Sequence, residues 1–252
     1  NSMELDGYCR RVVREAPRYL TADGHASVMV SWLGESEDEP DERMYEWLEG
    51  NGCDAWILGL SGSDPLDHAA GWNEHFAGDA AQMGSALDDW MSYFDRLGAG
   101  WISEGAVLMR RREGTNVVRA DGVDDEELEF ASDQIERVFT ALRLVAERGA
   151  SVIDDVRLRL ADEVRFDQEL DRHGDVQEVR IVLDEGTCPD LELEWETADV
   201  LTTLDGHTTL EQAVDRTARR LDLEKRETAE LRADARKVVR ELFELGFFEI
   251  AA

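Results

Sequence analysis

Cysteine is scarce in this sequence of 252 residues, and long apolar runs are missing from it. Its three cysteines, Cys9, Cys53 and Cys188, are odd in number and far apart, which indicates neither a disulfide framework nor a CxxC metal site. No apolar run approaches the ~20 residues of a membrane helix. No cationic leader precedes an apolar segment either. We therefore expect a cytoplasmic protein without a membrane partner.

Positive charge is also sparse, and lysine occurs only at Lys225 and Lys237. The chain has 27 basic and 58 acidic residues, for a net charge of -31. Such a surface repels phosphate backbones and anionic lipid, so nucleic acid is an unfavoured partner. High solubility is the simplest explanation of the acidic composition, and an acidic binding function is the alternative.

The histidines do not form a metal-binding pattern with the cysteines. His68 and His75 are seven residues apart, and no short Cys/His pair exists. Structural zinc sites use short spacings between such ligands. The sequence therefore predicts no metal ligands.

Residues 1–122 alternate helical and apolar segments in the manner of an α/β unit. The pattern predicts helices over 8–20, 66–76 and 85–97, a helix that Asp41 caps, and strands over 26–33, 54–58 and 101–109. The segment 59–62 is interpreted as an ordinary loop. A helix, a glycine turn and an apolar strand at 8–33 form the second half of a βαβ unit. Because no strand precedes this helix in the sequence, we expect strand 26–33 to be an exposed sheet edge through which the chain could self-associate.

Two further regions follow. Residues 123–196 contain a helix and then apolar residues with a period of two, which predicts an antiparallel meander whose last strand includes Trp195. Residues 197–252 are helical and interleave arginines with acidic residues, which is typical of paired surface helices. This segment resembles a winged helix of the kind found in peptide-chaperone proteins and some oxygenases. Its balanced charge favours protein or peptide contact over DNA binding.

Several stretches carry a resemblance to an enzyme family. The segment GYCRRVVREAPRYLTADGHASVMVSWL resembles the part of class I S-adenosylmethionine-dependent methyltransferases that follows their Asn-Pro-Pro-Phe/Tyr motif. It is closest to the release-factor glutamine and rRNA guanine methyltransferases. CDAWIL then resembles strand six of that fold, and WISEGAVLMRRR resembles its antiparallel strand seven. The resemblance implies a partial Rossmann-like sheet of strands five to seven.

The order of the motifs is similar to that of an actinobacterial methyltransferase family with an additional C-terminal domain. The stretches concerned are MELDGYCRRVVREAP, DPLDHAAGWN, GAVLMRRR, LRLADEVRFDQ and TTLDGHTTLEQAV. The expected fold class is thus α/β over 1–122, followed by an α+β region with a meander over 123–196 and a winged-helix-like segment over 197–252.

The sequence also departs from the family. The Gly-rich loop, the acidic residue that holds the ribose and the Asn-Pro-Pro motif are all missing. No catalytic or cofactor-binding residue is therefore assigned. We expect that the cofactor, S-adenosylmethionine, does not bind measurably to these 252 residues, and that they are inactive by themselves.

Acceptors enter this fold above the carboxyl ends of the strands. His68 and Trp72 share a helix face and could stack on a planar acceptor and hydrogen-bond it, although an ordinary helix–sheet contact is the competing interpretation. The substrate-side candidates are Met3, Glu4, Ser31, Trp32, Asp64, His68, Trp72 and Asn73.

The sequence thus predicts the C-terminal part of a methyltransferase acting on a nitrogen of a protein glutamine or a nucleobase. The alternative is a non-catalytic protein- or peptide-binding module, in which an acidic α/β remnant is joined to a winged helix.

Overall fold

A computed structural model describes residues 6–38, 41–123, 131–174, 176–187 and 191–251, which form a mixed α/β protein. The chain divides into two units, residues 1–123 and 124–252. In the first unit the elements follow one another in the order α1 (Gly7–Glu15), β1 (His25–Gly34), α2 (Glu42–Leu48), β2 (Cys53–Ser63), α3 (Pro65–Trp72), α4 (Ala80–Leu97), β3 (Trp101–Arg111) and β4 (Val118–Gly122).

The four strands of the first unit form one mixed sheet in the order β1-β3-β2-β4. Strand β3 is antiparallel to both β1 and β2, whereas β2 and β4 are parallel. Within the described residues β1 pairs on one side only, so it lies at the sheet edge where the sequence predicts it. Because β1 and β2 are both antiparallel to β3, their carboxyl ends lie at the same end of the sheet.

Helices cover both faces of this sheet, as expected for strands with apolar residues on each side. On one face α1 and α2 contribute Val13, Met44 and Trp47 to a core with Trp32 and Ile57. On the other face α3 and α4 contribute buried side chains that pack with the sheet, namely Ala69 and Phe94 against Leu33 and Ile102. The α3 side of the sheet carries the pocket that is described below.

Gly105 allows the central strand to approach its neighbours closely. A Cβ atom at this position would overlap the carbonyl oxygen of Leu58 and would lie 3.1 Å from the ring of Trp32. Its cross-strand partner Gly59 has more space, because a Cβ there would meet its nearest atom at 3.9 Å. Glycine is therefore sterically required at 105 but not at 59.

The structure corrects two predictions for this unit. Residues 59–62 are not a loop but belong to β2, which continues to Ser63 with an irregularity between Gly59 and Ser61. Strand β4, which the sequence did not predict, pairs with β2, and its Asp121 accepts a 2.7 Å hydrogen bond from the indole of Trp56. Pairing with neighbouring strands, rather than local propensity, creates both features.

Several helices differ from their predicted extents. The predicted helix 8–20 consists of α1 and a 3₁₀ turn, Ala16–Tyr19, because Pro17 has no N–H to continue the α-helical hydrogen bonds. The predicted helix 66–76 consists of α3 and a second 3₁₀ turn, Glu74–Phe76. Asp41 is the N-cap residue of α2 but makes no capping hydrogen bond with its side chain.

The second unit comprises α5 (Ser132–Arg148), α6 (Val152–Asp155), β5 (Leu158–Leu160), β6 (Val164–Leu170), β7 (Val176–Leu183), β8 (Leu191–Leu193), α7 (Trp195–Thr202), α8 (Leu210–Arg220), α9 (Lys225–Glu244) and β9 (Phe248–Ile250). Strands β6, β7 and β8 form the predicted antiparallel meander, while β5 pairs with β9. Val179 and Ile181 are buried, and Arg180 between them is exposed. Trp195 does not belong to the last strand: it begins α7.

One hydrophobic core joins the meander to the C-terminal helices. It contains Ile181 and Leu193 from the strands and Val200, Val239 and Phe243 from α7 and α9. The surface arginines of α9 form ion pairs, including the i,i+4 pairs Arg226–Glu230 and Arg240–Glu244, each at 2.9 Å, which is the kind of pairing that the sequence predicts. Arg232 also pairs with Asp215 of α8 at 3.0 Å.

Candidate functional site

A pocket of about 450 Å³ lies at the carboxyl end of β2, where α3 and β3 approach each other. The end of β2 forms one wall, one face of α3 forms another, and the start of β3 forms the floor. The lining residues are Ser61, Gly62, Ser63, Asp67, His68, Gly71, Trp72, Ile102 and Glu104. Carboxyl ends of strands are the usual position of ligand sites in open α/β sheets.

Asp64 fixes the start of α3, which brings His68 and Trp72 to this pocket. The Asp64 carboxylate accepts hydrogen bonds from the backbone N–H groups of Leu66, at 2.8 Å, and Asp67, at 2.9 Å. Pro65 occupies the first helical turn, where its missing N–H costs nothing. His68 and Trp72 are four residues apart, so their side chains lie on the same helix face.

His68 is half-buried among aromatic rings. Its ring centroid lies 6.3 Å from that of Trp72 and 6.0 Å from those of Trp90 and Phe94. This burial lowers the pKa of the His68 imidazole below its usual value, and the nearby Glu104 carboxylate acts in the opposite direction. His68 is therefore neutral at pH 7, with one ring nitrogen that can donate a hydrogen bond and one that can accept.

Glu104 introduces a carboxylate into the central, otherwise largely apolar strand β3. Ser31 of β1 and Ser61 of β2 are its cross-strand partners, so the three side chains lie in a row on one face of the sheet. Glu104 and Ser61 both line the pocket. The floor of the pocket thus offers hydrogen-bond acceptors beside the neutral imidazole.

Trp72 supplies an exposed aromatic wall. Its side chain is 64% exposed, whereas the other aromatic rings around His68 lie deeper. An exposed indole beside an imidazole and a carboxylate can hold a planar group by stacking and hydrogen-bond its N–H groups at the edge.

The predicted substrate-side residues divide into distinct positions. His68 and Trp72 line the pocket, and Ser31 lies in the same row as Glu104. Trp32 points to the opposite face of the sheet, where it is 1% exposed in the core with α1 and α2 and hydrogen-bonds Asp41.

Asp64 and Asn73 do not line the pocket. Asp64 caps α3, and Asn73 is buried at the other end of that helix, where its amide donates a 2.7 Å hydrogen bond to the carbonyl of Ala69. Met3 and Glu4 lie outside the described residues.

Sequence reasoning did not identify Glu104, Ser61, Ser63 and Asp67 as site residues. The signal for Glu104 was the single charge in the run ISEGAVLM, because a carboxylate in the middle of an apolar strand requires a polar environment. Ser61 falls in the segment that was interpreted as a loop, and Ser63 lies beyond the predicted strand 54–58, so neither could be placed on the sheet.

The glycines that follow Leu58 do not form the Gly-rich loop of an S-adenosylmethionine site. The glycines at 59 and 62 lie within β2, and a Cβ at Gly62 would overlap the indole of Trp101. This glycine therefore accommodates a side chain of the protein instead of forming a loop that cradles a cofactor. The described residues contain no group of three or more His, Cys, Asp or Glu side chains that could hold a metal ion.

Comparisons with known proteins do not assign the chain to a family. No protein-family model matches the sequence, and no curated protein matches it at a significant level. In the part of the chain that the structure describes, none of the helices combines the length and the apolar character needed to cross a bilayer.

Proposed function

We propose that this chain forms the acceptor-binding side of a class I S-adenosylmethionine-dependent methyltransferase that modifies a nitrogen atom. The observation that carries the proposal is the pocket at the carboxyl end of β2, where His68, Trp72 and Glu104 converge. A planar amide or nucleobase could stack on Trp72 while Glu104 accepts a hydrogen bond from its N–H group.

The strand arrangement supports the proposal. The resemblance assigns β1, β2 and β3 to strands five, six and seven, with the last of them antiparallel. In the structure β3 is antiparallel and lies between β1 and β2. The sheet thus has the antiparallel strand at the position in the chain that the resemblance requires.

His68 is suited to act on the proton of an acceptor nitrogen. A nitrogen that gains a methyl group must lose a proton, and the neutral imidazole has a free lone pair to accept one. Burial among Trp72, Trp90 and Phe94 favours this neutral form, and Glu104 could then stabilise the resulting imidazolium.

The proposal assigns no cofactor-binding role to the described residues, since the family's Gly-rich loop and Asn-Pro-Pro motif have no counterpart in the sequence. We expect S-adenosylmethionine to show no measurable heat of binding when it is titrated into the 252-residue chain. Binding with a micromolar dissociation constant would show that the cofactor site lies within these residues and would overturn this assignment.

The coding sequence upstream of Asn1 tests the proposal most economically. A strand followed by a Gly-rich loop, then an acidic residue, then Asn-Pro-Pro-Phe/Tyr is the expected result. A start codon immediately before Asn1, with none of these motifs, would refute the enzyme and leave the binding module.

The second candidate is a non-catalytic protein- or peptide-binding module. The ion pairs of α8 and α9 favour it over a DNA-binding module, because they leave these helices without a uniformly basic face. The winged-helix interpretation of residues 197–252 belongs to this candidate as well. A methyl-transfer assay on the protein translated from the complete reading frame distinguishes the two, since the binding module would transfer nothing.

A further inference from the structure

Arginines form a continuous stripe along the exposed side of α1 and the 3₁₀ turn that follows it. Arg10 and Arg14 are four residues apart on one face of α1, and Arg18 of the 3₁₀ turn lines the same concavity. The opposite face is buried, with Val13 fully inside the core. The stripe is therefore held in place by the packing of the helix.

The stripe borders a concavity of about 620 Å³ within the first unit. Helix α2 contributes Arg43, whose guanidinium lies 2.9 Å from the Asp6 carboxylate. The lining residues are Asp6, Gly7, Arg10, Arg11, Arg14, Glu15, Arg18 and Arg43. Five guanidinium groups and two carboxylates give this concavity a local charge of +3, in a chain whose net charge is -31.

Within the part of the chain that the structure describes, most of the stripe has no acidic partner. Among the described residues the side chains of Arg10 and Arg18 make no hydrogen bond or ion pair, and that of Arg14 makes only a 3.5 Å contact to the carbonyl of Glu46. Like charges at i,i+4 destabilise a helix. Because the chain has twice as many acidic as basic residues, unpaired arginines on one face are not the result of a shortage of carboxylates.

We propose that this arginine concavity binds a compact oligophosphate group, such as a diphosphate. A guanidinium group can donate two parallel hydrogen bonds to the oxygens of one phosphate group. Two phosphate groups carry roughly three to four negative charges, which matches the local charge of +3 in the concavity. The site is separate from the His68 pocket and does not depend on the proposed methyltransferase function.

A compact anion fits better than a nucleic-acid strand. Salt screens exposed charges over about 8 Å at physiological ionic strength, so a small ligand held in the concavity feels mainly the arginines. A longer strand would continue onto a protein that is strongly acidic elsewhere and would be repelled.

The test is calorimetric titration of inorganic pyrophosphate into the 252-residue protein at about 0.15 M salt. We expect saturable 1:1 binding with a dissociation constant below about 1 mM. The double variant Arg14→Ala/Arg18→Ala should weaken binding at least about tenfold, since each lost charge-assisted hydrogen bond removes a substantial part of a weak affinity. Arg14→Lys should weaken it less, because it keeps the charge and loses only the paired geometry.

The matched control is Arg226→Ala, which removes an exposed arginine of α9 and should leave pyrophosphate binding unchanged. Because Arg14 and Arg18 are exposed, the circular dichroism of the double variant should equal that of the wild type. No binding of pyrophosphate, or binding that the double variant retains, would overturn the proposal. Tighter arginine-dependent binding of a single-stranded 20-nucleotide DNA would overturn it too, in favour of a nucleic-acid strand.

Discussion

The imidazole of His68 and the indole of Trp72 lie one turn apart in α3, with their ring centroids separated by 6.3 Å and their planes inclined at 49°. One ring is half-buried and the other is 64% exposed. The pair thus joins a polar group within the pocket to an aromatic surface at its mouth. This relationship, with Glu104 on the floor, gives the pocket its proposed chemistry.

The protonation of His68 should report its burial. Its pKa in the folded protein should lie below 6.5, and that of the Glu104→Gln variant should be lower still, because the substitution removes the carboxylate that raises it. An NMR titration of the imidazole measures both values. The control Glu42→Gln replaces an exposed residue of α2, on the opposite face of the sheet, and should leave the pKa of His68 unchanged. A higher pKa in Glu104→Gln would contradict the described electrostatics.

The same shift predicts a pH dependence of stability. Because the folded pKa of His68 is lowered, the unfolded chain binds the proton more readily below pH 6.5. The contribution of His68 to the free energy of unfolding is therefore complete above pH 6.5 and is lost as the pH falls through the folded pKa. His68→Gln should remove this part of the dependence in urea unfolding curves measured between about pH 5 and pH 8.

Gly105→Ala should destabilise the first unit by about 1–3 kcal/mol, because the new methyl group would collide with the Leu58 carbonyl oxygen. Gly59→Ala is the matched control: the two glycines are cross-strand partners, but the position at 59 has space. Urea unfolding monitored by circular dichroism measures both variants. An equal loss of stability in Gly105→Ala and Gly59→Ala would contradict a steric requirement for glycine at position 105.

Asp64 should act as a helix cap and not as an acceptor contact. Replacement with alanine removes two hydrogen bonds to backbone N–H groups and should cost about 1 kcal/mol of stability. Asp64→Ser should restore most of that loss, because serine is also a good N-cap residue. If alanine left the thermal midpoint unchanged, the capping role would be refuted.

The Asp205 turn should lose its stabilising effect only in acid. Hydrogen bonds from the backbone N–H groups of His207 and Thr208 lower the pKa of the Asp205 carboxyl to about 2. Its contribution is therefore present above the unfolded value of 3.8 and is lost as the pH falls towards about 2. Asp205→Asn should reduce the acid sensitivity of unfolding, and an unchanged pH profile would contradict the shift.

Periodic apolar patterns were sufficient to predict much of the fold. The alternation of apolar and polar residues in β6 and β7 predicted the meander. The apolar runs within β1, β2 and β3 predicted three strands of the first sheet. Segments with weak local signals were missed. Strand β4 reads Val-Arg-Ala-Asp-Gly, and β2 beyond Leu58 is rich in glycine and serine, so in both cases the pairing strand determines the conformation.

The candidate site was predictable only in part. The helical spacing of four residues predicted that His68 and Trp72 share a face, because this relationship depends on local geometry alone. Ser31 and Trp32 are adjacent in a strand and must face opposite sides of the sheet, but the sequence does not say which side carries α3. Glu104 reaches the pocket through the register of β3 with β1 and β2, which is a long-range property.

Methyl transfer itself tests the central claim most directly. The protein translated from the complete reading frame that contains these residues would be incubated with tritiated S-adenosylmethionine and, separately, a glutamine-containing peptide or a guanine-containing oligonucleotide. We predict that one acceptor is labelled on nitrogen, and that His68→Gln and Trp72→Ala each reduce the rate at least about tenfold. Leu66→Ala, an exposed change in the same helix, should leave the rate unchanged. Absence of transfer to both acceptors, or full activity in both pocket variants, would contradict the account.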